Sequence, residues 1–262
     1  MPRYVRVATE SGPQFGVVDG AEVALLDGHP FADVTRSGER VGLEGLRLLA
    51  PVIPTKIVAV GRNYAEHAAE LGNDVPTQDD MPMFFLKPSS SVIGPGDPIQ
   101  LPTDLSEEVH HEAELAVVIG GVLSRATPTE AIDAVFGYTC ANDVTARDLQ
   151  RIEQQWFRAK GFDSFCPLGP AITTDLDVAD VRVRCLVDGE VRQDGTTADL
   201  LLGVGELLAA ISQVTTLLPS DVVLTGTPAG VGPLQAGETV GVEIDGIGAL
   251  LNPVVDRNAT GS

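Results

Sequence analysis

The fold is decided by residues 110–120, which read HHEAELAVVIG. In an extended strand, successive side chains point to opposite faces. One face would carry Ala113, Leu115, Val117 and Ile119, and the other would carry Glu112, Glu114, Ala116 and Val118. Both faces are apolar except for two carboxylates. The pattern therefore favours a strand buried on both sides over an edge strand whose glutamates face water.

Glu112 and Glu114 would then share one buried face. Two like charges on a buried face are costly unless something neutralises them. The divalent cations Mg²⁺, Mn²⁺ and Ca²⁺ bind carboxylate oxygens, and one such ion would neutralise the two charges. An arbitrary Glu-x-Glu pair more often faces water, but the apolar residues that follow Glu114 favour burial and a metal site.

A third carboxylate follows the next apolar strand. Residues 137–142 are mostly apolar and end at Asp143. Thr145 and Asp148 have the spacing of a capping box, which predicts a helix start. An aspartate between a strand and a helix is well placed to project into a cleft, although such a residue is more often part of a turn. With the two glutamates, Asp143 would complete a three-carboxylate site.

Composition limits the partners. The 262 residues are 44% hydrophobic and 21% charged, as in an ordinary globular protein, with a net charge of -20. That charge makes nucleic acid and anionic membrane surfaces unlikely partners by simple repulsion. An anionic small molecule stays possible, because a bound cation and a few basic side chains can reverse the local field.

The sequence also predicts a cytoplasmic location. No apolar run approaches the roughly 18 residues that span a bilayer, and the first residues lack the apolar core of a signal peptide. The three cysteines are odd in number and show no C-x-x-C spacing. They are therefore interpreted as buried free thiols in a reducing compartment.

Two parts of the chain differ in pattern. Residues 1–52 carry short alternating runs with a hairpin signal at Asp19-Gly20, which predicts a small β-rich N-terminal module. Residues 53–262 would form the main, catalytic domain. Strands outnumber helices and do not alternate regularly with them, which favours an α+β, mainly β fold.

A short helix after the strand at residues 56–60 carries a second candidate site. Asn63 is the expected N-cap, with Glu66 at the capping-box position and Gly72 as the stop. Glu70 lies three residues after His67 and could orient its imidazole as a general base. By periodicity alone, His67 is structural slightly more often than catalytic.

Other motifs give weaker evidence of function. Residues 226–232, GTPAGVG, lack the Gly-Lys-Ser/Thr ending of a P-loop, which favours a tight turn over a nucleotide site. No G-x-S-x-G elbow supports a serine hydrolase.

Six segments together resemble the fumarylacetoacetate hydrolase family, in the family's order. They are residues 56–67 (KIVAVGRNYAEH), 84–89 (FFLKPS), 111–120 (HEAELAVVIG), 137–150 (GYTCANDVTARDLQ), 160–163 (KGFD) and 224–232 (LTGTPAGVG). The resemblance implies a mixed β-sandwich roll with short peripheral helices, usually a homodimer, with Mg²⁺ or Mn²⁺ at the mouth of the roll. It also implies that the N-terminal segment is a small accessory module.

The resemblance implies site residues as well. Glu112, Glu114 and Asp143 fall on metal-ligand positions, and His67 and Glu70 fall on a dyad that activates water. The catalytic set is completed by a lysine that faces metal and substrate, Lys160. The implied substrate-binding residues are Arg62, Tyr64, Lys87, Arg147, Gln150 and Thr227.

One chemical step is common to the activities that the resemblance implies. A 2-oxo acid can chelate a cation that stabilises an enolate as a neighbouring group leaves. Because His67 and Glu70 are both present, we expect a hydrolase that cleaves a C–C bond in an acylpyruvate or related β-diketo acid. The alternatives are a decarboxylase of oxaloacetate-like acids and an isomerase of 2-hydroxyhepta-2,4-diene-1,7-dioate-type compounds. A non-catalytic module that holds a structural Ca²⁺ is the alternative from another class.

Overall fold

Strands dominate the fold, as the sequence predicts. The structure, a computed structural model, describes residues 1–32, 34–70 and 82–259. Its strands are β1 (Arg3–Thr9), β2 (Gly12–Asp19), β3 (Glu22–Leu26), β4 (Arg36–Gly42), β5 (Leu48–Leu49), β6 (Ile57–Gly61), β7 (Met83–Lys87), β8 (Val92–Ile93), β9 (Ile99–Leu101), β10 (Val109–His111), β11 (Ala113–Ile119), β12 (Val135–Asn142), β13 (Thr145–Ala146), β14 (Cys166–Thr173), β15 (Arg182–Val187), β16 (Glu190–Thr196), β17 (Val222–Leu224), β18 (Gly232–Pro233), β19 (Thr239–Ile244) and β20 (Gly248–Asp256). The α-helices are α1 (Ala65–Glu70), α2 (Pro128–Asp133), α3 (Arg147–Ile152), α4 (Phe157–Lys160) and α5 (Val204–Val214). Short 3-10 helices lie at Ser89–Ser91 and Thr197–Asp199.

Three sheets organise the described strands. The largest has the order β4-β3-β2-β1-β14-β12-β11-β17-β6-β7, with β5 on β1 and β8 on β14. A five-stranded sheet runs β16-β15-β19-β20-β9, and β13-β10-β18 form the third. Most neighbours are antiparallel, and the pairs β17–β6, β14–β8 and β20–β9 are parallel. The fold is therefore a mixed β structure with few short helices, as predicted.

Strand β11 lies inside the largest sheet, between β12 and β17. All seven of its residues are buried. Ala113, Leu115, Val117 and Ile119 belong to the core shared with the five-stranded sheet, whereas Ala116 and Val118 belong to a second core on the opposite face. The prediction of a strand buried on both faces is confirmed.

The N-terminal strands extend the same sheet. Strand β1 pairs with β14, and β2 pairs with β3 through the hairpin predicted at Asp19-Gly20. A third apolar cluster joins Val5, Val7, Val23 and Leu25 to Ala171 of β14. The predicted division between residues 52 and 53 therefore does not place the two parts in separate sheets.

Both predicted helix caps are wrong. Helix α1 begins at Ala65, and the Asn63 side chain instead hydrogen-bonds the backbone of Leu202 and Thr225. The predicted stop at Gly72 lies outside the described residues.

The capping box predicted after Asp143 is also absent. Helix α3 begins at Arg147 without a side-chain cap. The Thr145 hydroxyl donates to the carbonyl of Asp143, and the Asp148 carboxylate accepts from the Ser106 hydroxyl. In the described ranges, no helix is both long and apolar enough to cross a membrane.

Candidate active site

Two adjacent strand ends bring three carboxylates together. Glu112 lies at the break between β10 and β11, Glu114 lies on β11, and Asp143 directly follows β12. The backbone N–H of Asp143 donates to the Glu112 carbonyl at 2.9 Å, which fixes the two chain segments side by side. One carboxylate oxygen from each residue lies within 4.8 Å of the others, and all three side chains are buried. The predicted convergence of these carboxylates is therefore present.

Buried cations of the protein face the same carboxylates. The ammonium of Lys160 donates to Glu112 Oε2 and to Asp143 Oδ2, both at 2.7 Å. The ammonium of Lys87 donates to Asp143 Oδ1 at 2.6 Å, and Arg147 pairs with Glu112. The sequence argument assigned neutralisation to a metal alone, whereas these three side chains supply part of it.

Glu112 is the well-compensated carboxylate. Burial raises its pKa, but the charges of Lys160 and Arg147 act in the opposite direction and hold the pKa well below its ordinary value. Glu112 is therefore ionised at neutral pH.

Glu114 has no such partner. No Lys, Arg or His of the described chain lies within ion-pair distance of it, and its Oε2 accepts from the Gly226 N–H at 2.6 Å. Burial, then the charges of Asp143 and Glu112, raise the pKa of Glu114 well above its ordinary value. A divalent cation would supply the positive charge that this carboxylate lacks. Three carboxylates are hard oxygen donors, so the residues present fit Mg²⁺ or Mn²⁺.

Glu112 and Glu114 open onto a cavity of about 450 Å³, whereas Asp143 does not line it. Its lining includes eight of the predicted site residues: Arg62, His67, Glu112, Glu114, Arg147, Gln150, Lys160 and Thr227. Its remaining lining residues are Val60, Gly61, Phe85, Arg151 and Trp156. Three arginines line the cavity of this very acidic protein, Arg62, Arg147 and Arg151, and their guanidinium groups are of the kind that binds an anionic ligand.

His67 and Glu70 form the predicted pair. His67 is 7% exposed, and its Nδ1 lies 3.4 Å from Glu70 Oε2. The Glu70 carboxylate is held in turn by the Gly230 N–H, at 3.1 Å from each oxygen. Burial lowers the pKa of His67 more than Glu112 raises it, which leaves a neutral imidazole at neutral pH. A neutral imidazole can accept a proton.

Two predicted substrate-binding residues lie behind the cavity. Lys87 is 1% exposed, and its ammonium also donates to the Lys160 carbonyl at 2.6 Å. Tyr64 is buried, and its backbone forms an isolated antiparallel β-bridge with Leu200. Burial raises the pKa of its phenol. These positions do not support direct contact with a substrate.

An aromatic wall was missed by the sequence argument. The rings of Phe85 and Trp156 are 5.4 Å apart between centroids, and Lys160 Nζ lies 4.9 Å from the Phe85 ring centre. Phe85 could have been found, because it precedes Lys87 by two residues and so shares its strand face. Trp156 lies between α3 and α4, and no periodic pattern pointed to it.

The fold is a mixed β structure whose cavity brings together a carboxylate cluster that could hold a metal ion and the buried His67–Glu70 pair. Residues 56–255 match the model of the fumarylacetoacetate (FAA) hydrolase C-terminal family, so the chain belongs to that family. Residues 3–51 match the Rv2993c-like N-terminal family. Membership in this enzyme family goes against the non-catalytic binding module.

Curated relatives extend over most of the chain. Protein Rv2993c of Mycobacterium tuberculosis is 46% identical over 97% of this chain and 98% of its own length. A mitochondrial oxaloacetate tautomerase of Xenopus laevis is 44% identical over 80% of this chain and 69% of its own length. A mitochondrial oxaloacetate decarboxylase of Dictyostelium discoideum is 44% identical over 73% of this chain and 89% of its own length.

Solved structures share the whole architecture. A 2-hydroxyhepta-2,4-diene-1,7-dioate isomerase from Mycobacterium marinum is 42% identical, with a TM-score of 0.90 over 98% of this chain and 99% of that one. A maleylpyruvate hydrolase from Sphingobium, in complex with manganese(II) and pyruvate, is 34% identical, with a TM-score of 0.79 over 98% of this chain and 99% of that one. Similar proteins thus include hydrolases, isomerases, decarboxylases and tautomerases.

Proposed function

We propose that this protein hydrolyses a C–C bond in an acylpyruvate or a related β-diketo acid, with Mg²⁺ or Mn²⁺ held by Glu112, Glu114 and Asp143. One observation carries the proposal. His67, oriented by Glu70, lines the same cavity as Glu112 and Glu114. A base and a metal centre that face one small cavity are the two components that C–C hydrolysis requires.

The residues divide the chemistry between them. When bound, the cation supplies Lewis-acid stabilisation of the negative charge that develops on the 2-oxo acid. His67 donates from Nδ1 to Glu70, which leaves Nε2 free to take a proton from a water molecule. The resulting hydroxide adds to the acyl carbon, and the C–C electron pair leaves with the pyruvate-like fragment, which is then protonated.

Other lining residues orient the substrate. Arg147 is fixed by Glu112 and by Gln150, whose Oε1 accepts from Arg147 Nη1 at 2.8 Å, so it offers a positioned positive charge to a carboxylate group. Phe85 and Trp156 form an apolar wall against which the acyl substituent can pack and exclude water. The homodimer and the cytoplasmic location stay predictions.

A second candidate is tautomerisation or decarboxylation of oxaloacetate. Its support is the 44% identity to an oxaloacetate tautomerase and an oxaloacetate decarboxylase. Decarboxylation uses the same charge stabilisation but generates no hydroxide. Isomerisation of an unsaturated dioate has similar support, from the isomerase structure at 42% identity.

A turnover screen tests these candidates. The purified protein is stripped with EDTA, reloaded with Mn²⁺ or Mg²⁺, and given acylpyruvates, oxaloacetate and unsaturated dioates, with the products identified by NMR. Pyruvate and a free acid from an acylpyruvate, at the highest kcat/KM of the panel, would support hydrolysis. Turnover of oxaloacetate or of a dioate with no acylpyruvate cleavage would overturn it.

A further inference from the structure

Gln193 of β16 is buried beside the candidate site without lining the cavity. Its Oε1 accepts from the Ala113 N–H at 3.0 Å, and its Nε2 donates to the Pro228 carbonyl at 2.8 Å. A backbone N–H can only donate and a carbonyl can only accept. These two partners therefore fix which way the amide faces.

The fixed amide determines the rest of the network. Oε1 also lies 3.0 Å from His111 Nδ1, so that nitrogen must carry the proton. Nε2 also donates to Thr227 Oγ1 at 2.7 Å, and the Thr227 hydroxyl hydrogen is directed at the Ala113 carbonyl, 2.9 Å away. Each polar atom of the Gln193 side chain thus has two partners of the correct type.

One end of the network brackets a predicted metal ligand. His111 ends β10 and Ala113 begins β11, and Glu112 is the single residue between them. Gln193 Oε1 holds the residue on each side of Glu112, so it fixes the direction in which that carboxylate leaves the backbone. Mutating a group that orients a metal ligand typically costs about ten- to hundredfold in metal affinity or activity.

The other end holds the loop at residues 226–232. This loop touches both halves of the site: Gly226 N–H donates to Glu114, and Gly230 N–H donates to Glu70. Gln193 Nε2 binds the loop between these two points, at Thr227 and Pro228. The loop read from the sequence as a simple turn therefore positions a carboxylate and the His67 partner.

Two glycines allow strand and loop to approach so closely. A Cβ on Gly195 would lie 2.6 Å from the Pro228 side chain, and a Cβ on Gly230, whose φ is +99°, would lie 2.2 Å from the Arg192 carbonyl. Both distances are too short for real atoms. The backbone on either side of Gln193 thus packs directly against the loop.

We propose that Gln193 is a positioning residue that sets the Glu112 ligand and the 226–232 loop together, and so controls both metal affinity and turnover. This inference rests on the proposed metal site in both measurements, and on the proposed C–C hydrolysis only in its turnover measurement. It assigns a role in the site to a side chain from the edge strand of the five-stranded sheet, which the cavity does not reach.

Gln193→Met tests the proposal, because methionine keeps the length of the side chain and removes all four hydrogen bonds. We expect Mn²⁺ affinity, measured by electron paramagnetic resonance, to fall by about ten- to hundredfold, with a loss of similar size in kcat at saturating Mn²⁺. Gln213→Met is the matched control, since Gln213 is exposed on α5 and makes only a 3.4 Å contact to Ala126. It should match wild type in both measurements.

A double-mutant cycle separates positioning from general loss of stability. Thr227→Val removes the hydroxyl that links Gln193 to the Ala113 carbonyl, so the kcat losses of the two single variants should overlap and fail to add in the double variant. Additive losses, or Mn²⁺ affinity and kcat within twofold of wild type in Gln193→Met, would overturn the proposal. If Gln193→Met does not fold, an unchanged kcat in Thr227→Val would overturn it instead. Wild-type protein that binds Mn²⁺ but cleaves no substrate would refute the proposed hydrolysis alone. The Mn²⁺ affinity of Gln193→Met would then still test the role of Gln193.

Discussion

The Lys160 ammonium lies 2.7 Å from Asp143 Oδ2, and both side chains are buried. The same nitrogen lies 2.7 Å from Glu112, so one lysine bridges two of the three predicted metal ligands. Burial lowers the pKa of Lys160, but Asp143 and Glu112 outweigh that effect and raise it. Lys160 is therefore a fixed positive charge that holds the carboxylates together in the metal-free protein.

Lys160→Met should destabilise the metal-free protein strongly. Removing one partner of a buried ion pair leaves an uncompensated charge and typically costs about 3–5 kcal/mol. A bound divalent cation should replace part of the lost charge, so Mn²⁺ should raise the melting temperature more in the variant than in wild type. Calorimetry in EDTA and in excess Mn²⁺ measures both quantities.

Lys56→Met is the matched control for that experiment. Lys56 pairs with the buried Asp221, whose carbonyl accepts from the Ile119 N–H. Ile119 is five residues beyond Glu114 on β11, or roughly 17 Å at the usual rise of a strand. This variant should also lose stability but gain no extra stabilisation from Mn²⁺. An equal Mn²⁺ response in the two variants would contradict the assignment of Lys160 to the metal site.

Glu114→Gln should separate metal binding from folding. The amide keeps the shape of the side chain and can never carry the charge that burial, and then Asp143 and Glu112, disfavour in the folded protein. Mn²⁺ binding by calorimetry should fall below detection. At neutral pH the unfolded Glu114 carboxyl loses its proton more readily than the folded one, so folding incurs a penalty that the amide avoids. The melting temperature in EDTA at neutral pH should therefore rise, by about 2–4 °C for each kcal/mol of that penalty removed. Wild-type Mn²⁺ affinity in this variant would remove Glu114 from the ligand set.

The strands that carry the three carboxylates could be predicted because their signals are local. The alternation on β11 and the aspartate after β12 need only a few neighbouring residues to be recognised. The Asn63 cap failed because its side chain has distant partners, Leu202 and Thr225, which are 139 and 162 residues away. A pattern three residues long cannot show that a tertiary contact will take the side chain first.

The pairing of Lys87 with Asp143, and the contacts of Gln193, were missed for the same reason. Lys87 is 56 residues from Asp143, and Gln193 is 80 residues from Ala113. Their pairing depends on sheet topology, which periodicity does not encode. The resemblance placed Lys87 near the site, but only the structure places its ammonium on a carboxylate.

Trp156 should report ligand binding. It is the single tryptophan of the chain, and it lines the cavity beside Phe85. Oxalate, a non-reacting 2-oxo acid analogue, should change its fluorescence in the presence of Mg²⁺ because the ligand displaces water from the indole. Glu114→Gln should abolish the change at equal oxalate. A signal that does not depend on Mg²⁺ would indicate that oxalate binds without the metal.

The cysteines should be unreactive in the native protein. Cys140, Cys166 and Cys185 are buried and unpaired, as the sequence predicts, and burial raises the pKa of Cys166 and of Cys185 to about 12. The reactive thiolate is therefore scarce as well as inaccessible. A colorimetric thiol reagent should detect none of them at neutral pH and all three in guanidinium chloride. Rapid native labelling would show that the core opens locally.

The His67 variant distinguishes hydrolysis from the other reactions of the family. His67→Ala should lower acylpyruvate cleavage by about 10²-fold or more, the usual effect of losing a general base. Oxaloacetate decarboxylation should fall much less, since it needs charge stabilisation and no hydroxide, whereas Glu112→Ala should abolish both. Steady-state kinetics on the two substrates at saturating Mn²⁺ provides the comparison.

The pH dependence of kcat/KM tests the role of His67 independently. Burial lowers the pKa of His67 from 6.5, so the imidazole stays neutral at pH values where an exposed histidine would be protonated. The kcat/KM for acylpyruvate should therefore hold below pH 6.5 and fall only as the pH drops through the lowered pKa. Glu70→Gln weakens the stabilisation of the protonated imidazole, so it should move this acidic limb to still lower pH and reduce the plateau. If His67→Ala kept full acylpyruvate turnover and the same acidic limb, the pair would be structural, and the oxaloacetate reactions would become the better-supported function.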